Sequence, residues 1–131
     1  MPDEVEIAAC LLQTEGTAQR GQLEAILADV AAGRTAGIGQ RAGSLAEQVA
    51  TSQASVPQFE IFQPAHGLAS AYAALFKLER DGLAAIAAAG DDEKRLKAAA
   101  AGFKGLAAAA GAVATAQASL LGEYPEVACA S

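Results

Sequence analysis

The chain has 131 residues, which fits a single domain burying roughly two-thirds of its unfolded surface. Hydrophobic residues make up 53% of it but aromatics only 5%, so alanine inflates the apolar share and the interior has to be thin. The formal net charge of −6 excludes a general nucleic-acid binder, because phosphate contacts need clustered Lys and Arg.

Segment 3–32 is predicted as a long helix, with Asp3 as N-cap and Glu4 and Glu6 in its first turn. On a seven-residue repeat Val5, Leu12, Gln19 and Ile26 fall on one line, and Ala9, Gly16, Leu23 and Val30 fall beside it. Gly33 is its stop. Gly33, Gly37, Gly39 and Gly43 then punctuate a stretch that reads as a loop or frayed helix, since each glycine costs about 1 kcal/mol inside a helix. Ser44 to Glu47 has the form of a capping box, and Leu45, Val49 and Val56 predict a short second helix over 44–55. An onset at a Thr35 cap would add Ile38 and Ala42 to that stripe.

Pro57 blocks helix continuation, and Phe59, Ile61 and Phe62 crowd bulky side chains together, so 56–63 is expected as an extended crossing segment. The third helix is expected over 64–89, with Pro64 in its first turn and Leu68, Tyr72, Leu75, Leu83 and Ile86 on one face. Only Gly90 and Asp91 separate it from a fourth helix over 92–121, capped by Asp91, so the two must fold back on each other. Leu96, Phe103, Ala110 and Gln117, beside Ala99, Leu106, Val113 and Leu120, repeat the pattern of the first helix. The fold expected is a single all-α domain over 1–131. It is an antiparallel four-helix bundle of three long helices and one shorter one, closely packed through alanine.

Chemistry finds few candidates. Gly37-Ile38-Gly39-Gln40-Arg41-Ala42 matches a dinucleotide fingerprint in form, but that loop works only between a strand and a helix, so no cofactor is expected. Arg34 and Arg41 beside the glycine amides remain a candidate anion loop. A single histidine, His66, removes His-pair metal sites, and no metal is expected. Cys10 and His66 have no third group or oxyanion loop to make a catalytic set, so no catalytic residue is named and no enzyme is expected. Over a handful of residues Ala65-His66-Gly67-Leu68 resembles the histidine-bearing stretch of phosphotransfer bundles, which would imply a carrier using His66. Ala69 and Ser70 depart from that family's usual Lys and Gly.

Polar residues inside apolar stripes are more informative. Gln19, Glu79 and Gln117 are candidate polar core contacts, and a buried carboxylate needs a donor, such as Lys104 or an arginine of the first two helices. Gly102 and Gly105 are expected opposite Glu79, which would leave room for a small ligand. Phe59, Ile61 and Phe62 either plug the bundle end or anchor a partner. The basic cluster Lys94, Arg95, Lys97 and Lys104 follows an acidic run and reads as a solvated face, with Glu93 pairing Lys97.

The functional expectation is a non-enzymatic assembly subunit that packs on itself or on a protein partner, with Ala101, Ala108 and Ala112 available to a further helix. A His66 carrier and a ligand-binding bundle around Glu79 are the alternatives. Stretch 105–122 is uncharged and near spanning length, but its Ala, Gly, Ser, Thr and Gln content favours a bundle over a membrane. An acidic start argues against a signal peptide, so Cys10 and Cys129 are expected as idle thiols in the cytoplasm or within a larger assembly, the alternative being a disulfide that ties the tail to the first helix and requires an oxidising location.

Overall fold

The computed structural model describes residues 1–125 and Cys129. Every regular element among the described residues is helical, and four helical segments pack against one another. They are α1 (Asp3–Ala31), α2 (Ile38–Gln53), α3 (His66–Ala89) and a fourth that is broken into α4 (Glu93–Ala100) and α5 (Leu106–Glu123).

The eight α1 positions on the two predicted lines are all buried, Gln19 included. Pro2 stands at the N-cap, and Asp3, the expected cap, is the first helical residue with no side-chain cap bond. Asp3, Glu4 and Glu6 still face the positive end of the helix dipole. α2 starts six residues before the expected Ser44. Gly37 takes a left-handed conformation (φ 72°), and Ile38, Ala42, Leu45, Val49 and Ser52 then form one unbroken buried stripe. Burial of Ile38 and Ala42 outweighs the glycine cost, and Gly39 lets α2 come close to the end of α3, where a Cβ would meet the Ala87 carbonyl oxygen at 3.4 Å.

The expected extended segment is instead two 3-10 turns, Val56–Ile61 and Gln63–Ala65, with only Phe62 between them extended (φ −136°, ψ 104°). Prolines 57 and 64 each sit in the first positions of a turn, where a missing N–H does no harm. The tighter winding turns Phe59 fully inward. Its ring stacks at 6.3 Å on Tyr72, which stacks at 5.4 Å on Phe76, giving the bundle an aromatic column.

Asp92, not Asp91, caps α4, accepting the Arg95 amide at 3.1 Å. The single fourth helix expected over 92–121 is interrupted by a 3-10 turn, Ala101–Phe103. Gly102 and Gly105 weaken the helix there, and the rewinding places the Phe103 ring directly over Gly82 of α3. Further on, Leu78 Cδ1 lies 3.0 Å from where a Cβ at Gly105 would stand. Contacts thus step back along α3 as the chain advances through the break into α5.

A Cβ at Gly82 would overlap the Phe103 ring, and the ring is buried. Gly82→Ala is therefore expected to destabilise by roughly 1–3 kcal/mol through overpacking, despite alanine's advantage of about 1 kcal/mol in a helix. Urea denaturation of Gly82→Ala, Phe103→Leu and the double variant checks this, and the double variant should lose less than the sum of the two.

Candidate functional site

Three features of the molecule carry polar or unpartnered groups: a polar layer across the bundle, a cleft beside α5, and the outer face of α5.

The polar layer joins α1, α2 and α3. Gln19 Nε2 donates to Ser52 Oγ at 2.7 Å, and Ser52 Oγ donates to Glu15 Oε1 at 3.2 Å. One residue along, Arg80 Nη1 donates to Gln53 Oε1 at 2.8 Å, which sets Glu79 at the same level of the bundle. Glu79 is 2% exposed, and burial pushes its carboxyl up from 4.5 to about 7, with the Arg20 charge pulling the other way. An arginine of the first helix is thus the charge Glu79 feels. Gln19 Oε1 is buried with no donor among the described residues.

The cleft lies where α5 leaves α1. α5 rests on α3, whereas its backbone hardly approaches α1, and the gap holds a volume of 140 Å³. Leu12, Tyr72, Leu75 and Val113 make its walls, with Arg20 and Gln117 also lining it. Gln117 Nε2 donates to Gln13 Oε1 at 3.2 Å across the gap, but Gln117 Oε1 is buried without a donor among the described residues. Burial pushes the Tyr72 phenol up to about 12, again with Arg20 opposing.

Cys10 and Cys129 form a disulfide with Cα atoms 5.2 Å apart, which overturns the expectation of idle thiols. It ties the chain beyond α5 back to α1. The Phe62 and Tyr124 rings meet edge to face at 5.1 Å where the chain leaves α5.

The outer face of α5 is bare. Only Val113 and Leu120 of its eighteen residues are buried. The segment Glu93–Glu123 has the length and apolarity of a membrane span, and 11% of its apolar window is buried in the fold. Ala101, Ala108 and Ala112 are all exposed.

The other candidates are placed apart from these. Arg34 Nη2 and Arg41 Nη1 both pair with Asp29, at 2.9 and 2.7 Å, and hold its carboxyl below the usual range, Arg41 contributing most. The glycine loop therefore already has its anion. His66 Nε2 donates to the Glu60 carbonyl at 3.0 Å at the very start of α3. Phe59 is a core plug, Phe62 is half-buried and Ile61 is 62% exposed, so the trio does not form one surface. Gly102 lies with Leu78 and Gly82 on a shallow groove whose lining lacks Glu79, and Gly105 faces Leu78. Lys97 pairs with Glu93 at 2.9 Å as the spacing implied. Among the described residues no three His, Cys, Asp or Glu side chains cluster as metal ligands.

The cleft escaped sequence reasoning because it joins the two ends of the chain, whereas the disulfide is the second of the two readings that the cysteines allowed. The signals present were Gly16 inside an otherwise regular stripe and the unexplained Gln117. No protein-family model, curated protein or solved structure matches this chain.

The raised Glu79 carboxyl makes stability depend on pH. Below pH 4.5 folded and unfolded chains both carry the proton, and between 4.5 and about 7 the folded chain alone keeps it. Stability therefore falls as pH rises through this window, by about 3 kcal/mol in all. Urea denaturation at pH 5 and pH 8 should show that fall in the native sequence, and Glu79→Gln should remove most of it and be the more stable protein at pH 8.

Proposed function

We propose that this chain is a non-enzymatic assembly subunit, an antiparallel four-helix bundle whose last helix docks on the same helix of a second copy. The observation that carries this reading is α5 itself, uncharged from Gly105 to Gly122 and buried only at Val113 and Leu120. An apolar helix in the interior of a bundle would be covered on most sides, and this one is not.

The composition of the bare face favours a helix as its cover. Ala107 and Gly111, Ala108 and Ala112, and Ala118 and Gly122 are exposed pairs four residues apart. Small residues at that spacing let two backbones approach closely, gaining dispersion contact with little loss of side-chain entropy. Lipid offers less, since alanine, glycine, Thr115 and Ser119 gain little from hydrocarbon. A two-fold arrangement would bring each α5 against its own copy with matching residues on both sides.

The Cys10–Cys129 bond supports an oxidising compartment over the cytoplasm expected from the sequence, because cytosolic thiols are kept reduced. For phosphoryl carriage the supports are few. His66 spends Nε2 on the Glu60 carbonyl, which leaves the assembly reading ahead.

Light scattering coupled to size-exclusion chromatography tests the proposal on the oxidised protein. The native sequence should run as a dimer or larger species at high micromolar concentration, and Ala108→Glu or Ala112→Glu should convert it to monomer with unchanged far-ultraviolet circular dichroism. A native protein that is monomeric throughout, or that instead cosediments with lipid vesicles, would contradict it.

A further inference from the structure

The cleft between α1 and α5 has the marks of a ligand site, independent of whether α5 docks on a second copy. Gly16 sits in the middle of α1, buried, where alanine would favour the helix by about 1 kcal/mol. No steric demand explains it, since a Cβ there would come no nearer than 4.0 Å, to Tyr72 Cε1. What glycine does at this position is keep space open. The space is apolar in the middle and polar at both ends.

At one end stands Arg20, half-buried and forming no ion pair among the described residues. Its charge reaches the buried Glu79 carboxyl, which burial pushes toward the neutral form. At the other end is Gln117, with a buried carbonyl oxygen that has no donor among the described residues. Gln117 lines the cleft, and turning its amide about the last side-chain torsion to present that oxygen exchanges the bond to Gln13 for one to a ligand. Gln13, which holds the Gln117 amide, and Arg20 are two helical turns apart on α1, about 10 Å along the axis. The volume of 140 Å³ is close to that of the cavity of about 150 Å³ that accepts benzene in an engineered protein interior.

We propose that this cleft binds a small aromatic or cyclic carboxylate, its anionic end on Arg20, its ring between Leu12, Tyr72 and Val113, and a hydroxyl or N–H at its far end donating to Gln117. Each part of such a molecule answers a group the fold leaves unanswered. The guanidinium gains a carboxylate in a partly dry setting, where a charged hydrogen bond is stronger than in water. The Gln117 oxygen gains a donor, removing the penalty of a buried acceptor left alone. The ring replaces empty volume with dispersion contact. A cationic ligand is disfavoured by Arg20, and a longer chain by the size of the space.

The probe is 4-hydroxybenzoate, with benzoate lacking the donor and phenol lacking the carboxylate, titrated into the oxidised full chain by calorimetry and by ¹H–¹⁵N correlation spectra. Saturable one-site binding is expected, with shifts at residues 12–20 and 110–117, and with several-fold weaker binding of benzoate and of phenol. Arg20→Met should weaken 4-hydroxybenzoate on the order of tenfold. Gly16→Leu should abolish binding, and Arg20→Met, on the half-exposed side of α1, keeps the test decisive if the leucine disturbs the fold. Absence of saturable binding at millimolar probe, or binding indifferent to Arg20→Met and to removal of the carboxylate, would overturn the proposal.

Discussion

The last helix of this protein buries only two of its side chains fully, with Leu106, Ala109, Ala110 and Ala116 packed half-buried against the core. α5 buries two large side chains, Val113 and Leu120, worth together roughly 3–6 kcal/mol. The Cys10–Cys129 bond closes a loop of 119 residues, and in the chain-entropy picture a loop of that length is worth about 5 kcal/mol. A single covalent link thus matches the main apolar anchorage of the helix. Alanine helps at the local level, because it keeps α5 helical at small entropic cost without needing much packing.

From this arrangement the other features follow. Because α5 rests on α3 and scarcely on α1, the bundle is closed at one end, where Gly33 meets Glu93 of α4, and parted at the other, where the cleft opens. Phe103 locks the break between α4 and α5 onto Gly82, which fixes the direction in which α5 leaves. Tyr72 serves both regions, as the centre of the aromatic column and as a wall of the cleft. The polar layer at Gln19, Ser52 and Glu79 sits beside the same region. A buried carboxylate there costs stability at neutral pH.

Much of the architecture was legible in residue spacing. The two lines on α1 were buried at all eight positions, and Leu68, Tyr72, Leu75, Leu83 and Ile86 line the inner face of α3, because a heptad-like stripe has only one way to hide. Local glycine and proline signals misled where tertiary burial overrode them. Ile38 and Ala42 draw α2 back through two glycines, and Phe59 reaches the core through a 3-10 turn that Pro57 permits. Of the polar positions, Gln19 and Glu79 stood out as intrusions into apolar lines, and both are buried. The cleft was illegible, because it depends on how far α5 stands from α1, and no local pattern encodes the distance between helices so far apart in sequence. The same separation made the pairing of Cys10 with Cys129 the less favoured of two readings, since spacing alone does not show which thiols meet.

With only two side chains fully buried, α5 is the least firmly held helix and depends on its disulfide. Hydrogen–deuterium exchange with mass spectrometry, on the oxidised protein and on Cys10→Ser, tests it most directly. Loss of protection across Leu106–Glu123 in the variant, with Ile38–Gln53 and His66–Ala89 still protected, is the result expected. Equal loss across every helix, or an α5 as protected without the bond as with it, would contradict the account.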